Sequence, residues 1–268
     1  MRKGRRVRRA VCGGVVASTL ALMVTGCQEG VIPIDPAAQP SATAVPGAPG
    51  APGPADPSAP ASHQSRPATA ATARELHAGD YVLTAAEETA SFENSGGTDD
   101  ENSDSAAVRA QVAACVGVPD YNPSPPLDET SGDTFTSLEE SGFQATSRAR
   151  ILPARQISED AQIVTSPDFG DCYRLAMEEQ LAGADENGYT YEIVAVETPP
   201  TPRGATALVR TSMGVSDGYG TYGYVFDTIY FYVGQVAVEL DVMNIQDVPP
   251  RDVEQGLIDQ IAGKLTNQ

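Results

Sequence analysis

Few residues in this 268-residue chain carry reactive groups at a spacing that chemistry would need. There are two histidines, His63 and His77, and four cysteines, of which Cys27, Cys115 and Cys172 follow the first apolar run. A Ser-His-Asp or Cys-His relay needs an imidazole beside its nucleophile, and His77 is the one candidate base near the part that reads as folded. No H-E-x-x-H and no P-loop occurs, and His/Cys spacing suited to a metal is absent. Asp168-Phe169-Gly170 spells the metal-binding tripeptide of kinases, but without their strand lysine and catalytic loop; a helix start explains it. Two carboxylates could serve a glycosidic hydrolysis, and acids are too abundant to choose a pair. The expectation is a protein with no catalytic residue, metal or cofactor.

Cys115 and Cys172 have a simpler chemistry open to them. In an oxidising compartment an even pair defaults to a disulfide; the alternative, a redox-active pair, lacks Cys-x-x-Cys support. Closing a loop of about 58 residues contributes roughly 4 kcal/mol by loss of unfolded-state entropy.

One further group of side chains could bind. In "YGYVFDTIYFYVGQVAVELDVM" (222–243) two alternating runs flank Gly234-Gln235, which suits a two-residue type II′ hairpin turn with Gly first. That turn sets Val233 opposite Val236, Phe231 opposite Val238, Ile229 opposite Leu240 and Asp227 opposite Val242. One face is then aliphatic and belongs to a core. The other carries Tyr222, Tyr224, Phe226, Tyr230 and Tyr232, with Ala237, Glu239 and Asp241 across from them. Tyr222, Tyr224, Tyr230, Tyr232, Glu239 and Asp241 could line a cleft for a small apolar or cationic ligand. Equally, a helix layer could cover them.

The elements that would position this face are legible as patterns. Val108, Val112 and Cys115, with Ala106 and Ala113, recur at helical spacing over 105–116. Strands are expected at 133–139 and 143–151, the second with Phe143, Ala145, Ala149 and Ile151 inward and Gln144, Thr146, Arg148 and Arg150 outward. A helix follows with Ile157, Ala161 and Val164 inward. The next has Ser166 as N-cap, Pro167 at N1 and Asp168 in its first turn, and it buries Phe169, Cys172, Tyr173, Ala176 and Met177. Strands at 189–197 and 205–212 precede the hairpin, and a helix at 250–265 carries Val253, Leu257, Ile261 and Leu265. The acidic, Gly-rich stretch 93–104 reads as a solvated loop. Together these predict an α+β fold: one domain, 73–268, with helices packed on a mostly antiparallel sheet and stapled by one disulfide.

Six basic residues and no acid lie in residues 2–9, followed by about fifteen apolar residues and then Val24, Thr25, Gly26 and Cys27. A bilayer-crossing helix needs roughly 20 apolar residues, so 1–26 reads as a secretory signal. Its end resembles the bacterial lipobox. The resemblance implies cleavage before Cys27, lipidation of its thiol and acylation of the new N-terminus, with enough acyl chains for stable attachment to the membrane. Residues 27–72 would form a Pro/Ala/Gly-rich tether. The chain has 17 basic and 36 acidic residues, net −19, and losing six bases with the signal leaves about −25. Such a surface excludes nucleic acid as a partner and adhesion through a basic patch.

A helix ending "AACVGVP", paired strands, "EDAQIVTSPDFGDCYRLAMEEQL", and a late hydrophobic hairpin before a C-terminal helix follow the lipobox and tether. The pattern, over 105–268, resembles actinobacterial cell-envelope lipoproteins related to the extracellular sensor domain of PknH-type kinases. That resemblance implies an α+β domain with a ligand cleft and no catalysis. The kinase sensor has two disulfides where this chain has cysteines for one. The functional expectation is therefore a lipid-anchored, extracytoplasmic domain that binds or senses a small envelope ligand. The alternatives are an interaction or accessory module for an envelope protein partner and, third, a carboxylate-dependent envelope hydrolase.

Overall fold

A computed structural model describes residues 75–97, 104–118, 120–182 and 188–268. All belong to one compact unit, Pro67–Gln268. The signal 1–26, the lipobox residues Val24, Thr25, Gly26 and Cys27, and the tether 27–72 lie outside the described residues. The order is β1 (Phe92–Gly97), α1 (Asp104–Cys115), β2 (Asp128–Ser131), β3 (Asp133–Ser137), β4 (Gln144–Ile151), α2 (Ala154–Val164), α3 (Phe169–Leu181), β5 (Thr190–Glu197), β6 (Ala207–Ser216), β7 (Thr221–Val233), β8 (Val236–Ile245) and α4 (Arg251–Thr266). The strands form one antiparallel sheet in the order β1-β3-β4-β8-β7-β6-β5, with β2 also on β4.

The hairpin sets the register for the whole. Gly234 takes φ 59°, and Gln235 is not among the residues of positive φ, as a type II′ turn requires. Val233 pairs with Val236, Phe231 with Val238, Ile229 with Leu240 and Asp227 with Val242. β4 then adds to the free side of β8, with Ile151 opposite Val236 and Ala145 opposite Val242. Strict alternation sends Ile229, Phe231, Val238, Leu240, Val242, Ala145 and Ala149 into one core. There they meet Leu257, Ile258, Ile261 and Leu265, the inner stripe of α4. Each such large apolar side chain, once fully buried, stabilises by roughly 1.5–3 kcal/mol. The opposite face packs under α1, α2 and α3 through Val112, Ala113, Ile163, Phe169, Cys172 and Ala176. Cys115 and Cys172 are disulfide-bonded, with Cα atoms 5.7 Å apart, and so tie α1 to α3.

Several elements differ from expectation. Residues 92–97, expected to belong largely to a loop, form a strand on β3, with Asn94 opposite Phe135; residues 98–103 lie outside the described residues. β2 was not anticipated at all. Ser166 and Pro167 make a turn before α3 rather than its cap and first residue: Ser166 Oγ accepts the Asp168 N–H at 3.3 Å, and the helix starts at Phe169. Ala106 is exposed, because α1 leans on its Val112–Ala113 end. A strap at 78–84 closes the α4 core with Ala78, Tyr81, Val82 and Leu83. Its backbone is held by side chains: Ala78 N–H donates to Asp128, Leu83 N–H to Ser147 Oγ at 2.8 Å, and Thr84 N–H to Gln260.

One polar cluster sits between the sheet and the start of α4. Arg210 grips the fully buried Asp227 with two hydrogen bonds, 2.7 and 2.5 Å. Burial and the adjacent Asp227 push the Glu254 carboxyl of α4 up to about 8, against the opposing charge of Arg210 and Arg251. Its Oε1 has no hydrogen-bond partner. The folded chain thus holds a proton that the unfolded chain releases near pH 4–5. Stability from this group is fully present below that range and falls as pH rises toward 8. The melting temperature should fall between pH 5 and 9. Glu254→Gln, which keeps a donor toward Asp227, should reduce that fall and melt higher than wild type at pH 9; parallel melting curves for the two proteins would contradict this.

Candidate functional site

The aromatic–acidic face of β7 and β8 is one surface in register but not one environment. At the turn end, Tyr230 is 8% exposed under α3. Phe169 meets its ring edge-on at 5.9 Å, and Tyr232 stacks on it with planes 6° apart. Burial raises both phenols well above their usual range. At the other end Tyr224 is buried and stacked on Phe226, while Tyr222 is 45% exposed. Tyr222 lies across Val215 from Tyr191 of β5. Of the four predicted tyrosines, then, two are inner packing, one is packed against its neighbour, and only Tyr222 opens to solvent.

Glu239 and Asp241 behave differently. They are half-buried on β8 at the rim of the helix layer. Glu239 stands between Tyr230 and Arg148; Asp241 stands between Thr228 and Thr146. Thr228 donates to Asp241 Oδ1 at 2.7 Å. Burial and then the Glu239 charge push the Asp241 carboxyl up to about 7, with Thr228 and Arg148 opposing. Tyr173 of α3 closes the inner side, its phenol raised by burial and by Asp241 and Glu239. On the outer side Arg148 Nε lies 2.7 Å from Glu129 Oε1, an ion pair not aligned as a hydrogen bond. Arg148, the cation opposite Glu239 on β4, is therefore shared with a third acid.

Behind this shelf a polar seam runs under the helices. Tyr121 donates to Asp160 Oδ1 at 2.7 Å, and Gln156 donates to the same oxygen. Arg109 of α1 sits among Glu239, Tyr232, Tyr121 and Asp160; burial opposes its charge, and those groups outweigh burial and hold it. Asp160 is raised chiefly by burial. The sequence carried a signal for this seam, namely Gln156 and Asp160 four apart beside Ile157 and Ile163, polar groups on the inner stripe of α2.

No family model and no curated protein matches this chain. Its chemistry must be read from its own residues. No catalytic serine motif was expected, yet two motif spellings overlap at the β6–β7 turn. Gly214-Val215-Ser216-Asp217-Gly218 fits G-x-S-x-G, and Gly218 to Val225 fits the kinase pattern G-x-G-x-x-G-x-V. The first is a strand entering a hairpin, not the strand-to-helix elbow that exposes a nucleophile. In the second, the Asp217 carboxylate already accepts the Tyr219 and Gly220 N–H groups at 2.8 and 2.9 Å, where a phosphate would have to sit.

Two shallow depressions flank the helix layer. One, about 260 Å³, lies between Asn122, Ser124, Gln156 and Glu159. The other, about 370 Å³, lies between the end of α3 and β5, at Arg174, Glu178, Tyr191 and Glu192. Neither contains Glu239 or Asp241. Among the described residues no three His, Cys, Asp or Glu side chains gather as a metal site, and no helix is long and apolar enough to cross a membrane.

The split of the tyrosine face is directly measurable. Tyr230→Ala empties a packed ring position and should cost about 3–5 kcal/mol, whereas Tyr222→Ala should stay within about 1 kcal/mol. Urea unfolding of both variants decides it; equal losses would contradict the partition.

Proposed function

We propose that the chain is a lipid-anchored protein on the extracytoplasmic face of the cell membrane. Its folded domain binds a small cationic ligand of the envelope at the Glu239–Asp241 shelf and reports its presence without catalysing a reaction. The observation that carries this reading is the charge imbalance at the shelf. Two half-buried carboxyls share Arg148 with Glu129 and Arg109 with Asp160, and one of them is driven up to about 7. An ammonium group entering beside Asp241 supplies the missing positive charge, and the Tyr173 and Phe226 rings on the same side offer it apolar contact. Membrane attachment rests on Val24-Thr25-Gly26-Cys27 after a short apolar run, which resembles a lipobox.

The proton equilibrium gives the ligand test its sign. A cation needs the Asp241 carboxylate, so affinity should rise as pH passes from 6 to 8. Isothermal titration of the whole chain in detergent with putrescine as probe should show about tenfold tighter binding at pH 8 than at pH 6. Asp241→Asn should weaken binding at pH 8 by tenfold or more and flatten the pH dependence. Binding unchanged by that substitution would place the ligand elsewhere.

The anchor has its own test. Cys27→Ser should abolish labelling by an alkyne-bearing fatty acid and release the protein from the membrane fraction. Retention at the membrane without label would overturn the lipobox reading.

A further inference from the structure

The sheet ends at β5, which has β6 on one side and no strand on the other among the described residues. The edge is eight residues long. A row of unpaired backbone N–H and C=O groups of that length is a template for another strand, and proteins normally blunt it. Here the blunting is selective. Val194 is 60% exposed, and neither proline nor lysine occurs in the strand. Its charged side chains are Glu192 and Glu197, both acidic. A bulge between Ile193 and Ala195 shifts the ladder at its centre.

Beside the edge lies the depression of about 370 Å³, walled by Glu178 and Leu181 of α3 and by Tyr191 and Glu192. Its one cation, Arg174, is held by Glu178 at 2.7 Å. A second copy of this chain fits poorly. Antiparallel pairing of two β5 strands about Val194–Ala195 would set Glu192 against Glu197 of the other copy, and the one ladder would carry two bulges. Like charges directly opposite destabilise a strand pair. An extended segment bearing lysine or arginine meets the opposite situation. Its backbone pairs with the edge, its alternate cations meet Glu192 and Glu197, which the bulge puts on one face of the sheet, and an apolar residue between them covers Val194.

We propose that β5 is a docking edge that takes an extended, basic segment of a partner protein as an added strand. This surface is separate from the Asp241 shelf and stands or falls independently of it.

The probe is a nine-residue, end-blocked peptide of alternating lysine and valine, with a glutamate–valine peptide as control, added to the whole chain in detergent. Hydrogen exchange should slow across 190–197 with the lysine peptide and not with the glutamate peptide. Affinity by fluorescence anisotropy should fall with added salt. Glu192→Lys combined with Glu197→Lys should weaken it at least tenfold. Val194→Pro should block docking through the backbone, and the charge-reversed variant keeps the test decisive if the proline variant fails to fold. Asp241→Asn should leave peptide binding unchanged. Protection elsewhere than β5, affinity indifferent to charge reversal, or β5 protection through self-association without peptide would each overturn the proposal.

Discussion

Alternation along β7 and β8 decides where everything else can go. Because successive side chains point to opposite faces, Ile229, Phe231, Val238 and Leu240 can only form one core, and Thr228, Tyr230, Glu239 and Asp241 can only form the opposite face. The first set demands an apolar partner and receives α4. The second set is mixed, and α1, α2 and α3 pack their apolar side chains over Ala207, Val209 and Tyr230. Glu239 and Asp241 stay half-buried beside that layer, and burying both carboxyls fully would cost several kcal/mol per charge.

Holding helices beside such carboxyls needs more than packing. The Cys115–Cys172 bond ties α1 to α3 at a sequence separation of 57, which removes unfolded-chain entropy worth roughly 4 kcal/mol. The seam of Arg109, Tyr121, Gln156 and Asp160 adds direction rather than large net stability. A paired buried charge gains little over an apolar replacement, but it is costly to mismatch. Arg109 can sit among Glu239, Asp160 and the two phenols only when α1 and α2 are seated in one position on β8. The orientation of Tyr173 toward Asp241 follows from that seating, since α3 is tied to α1.

How much of this the sequence discloses depends on how local each cause is. The β7–β8 register is readable residue by residue, because a two-residue turn and strict alternation leave no second solution. The inner stripes of α3 and α4 follow from 3.6-residue spacing for the same reason. β1 is not readable: Phe92–Gly97 has one buried residue and two glycines, and only its pairing with β3 makes it a strand. The strap 78–84 has no period, since side-chain bonds from Ser147, Asp128 and Gln260 hold it in place. At the site, the adjacency of Arg148 and Glu239 depends on β4 joining β8, a contact across almost a hundred residues. That Tyr230 lies under a helix while Tyr222 does not depends on where Phe169 docks, and spacing along one strand does not encode that.

The cations of the domain complete the electrostatic argument. Arg148, Arg155, Arg174, Arg203 and Arg210 each face a carboxylate at 2.5–2.7 Å. Asp227 is fully buried in its pair with Arg210, whereas the other four pairs are at least partly exposed and add about 0–1 kcal/mol each to stability, so their larger consequence is local neutralisation. What remains outside is almost wholly acidic. At physiological salt, exposed charges are screened beyond about 8 Å, so the net charge of the chain cannot by itself select a ligand. Selection falls to places where acids stand close together, partly shielded from water and beside aromatic or apolar surface. The Asp241 shelf has that character because the helix layer removes water from one side of it. The β5 edge has a weaker form of it, with Glu192 and Glu178 flanking a shallow hollow and unpaired backbone supplying the rest. A small ammonium ion gains most from the first, where desolvation strengthens each interaction. An extended chain gains most from the second, where backbone pairing supplies the affinity and charge supplies the choice of partner.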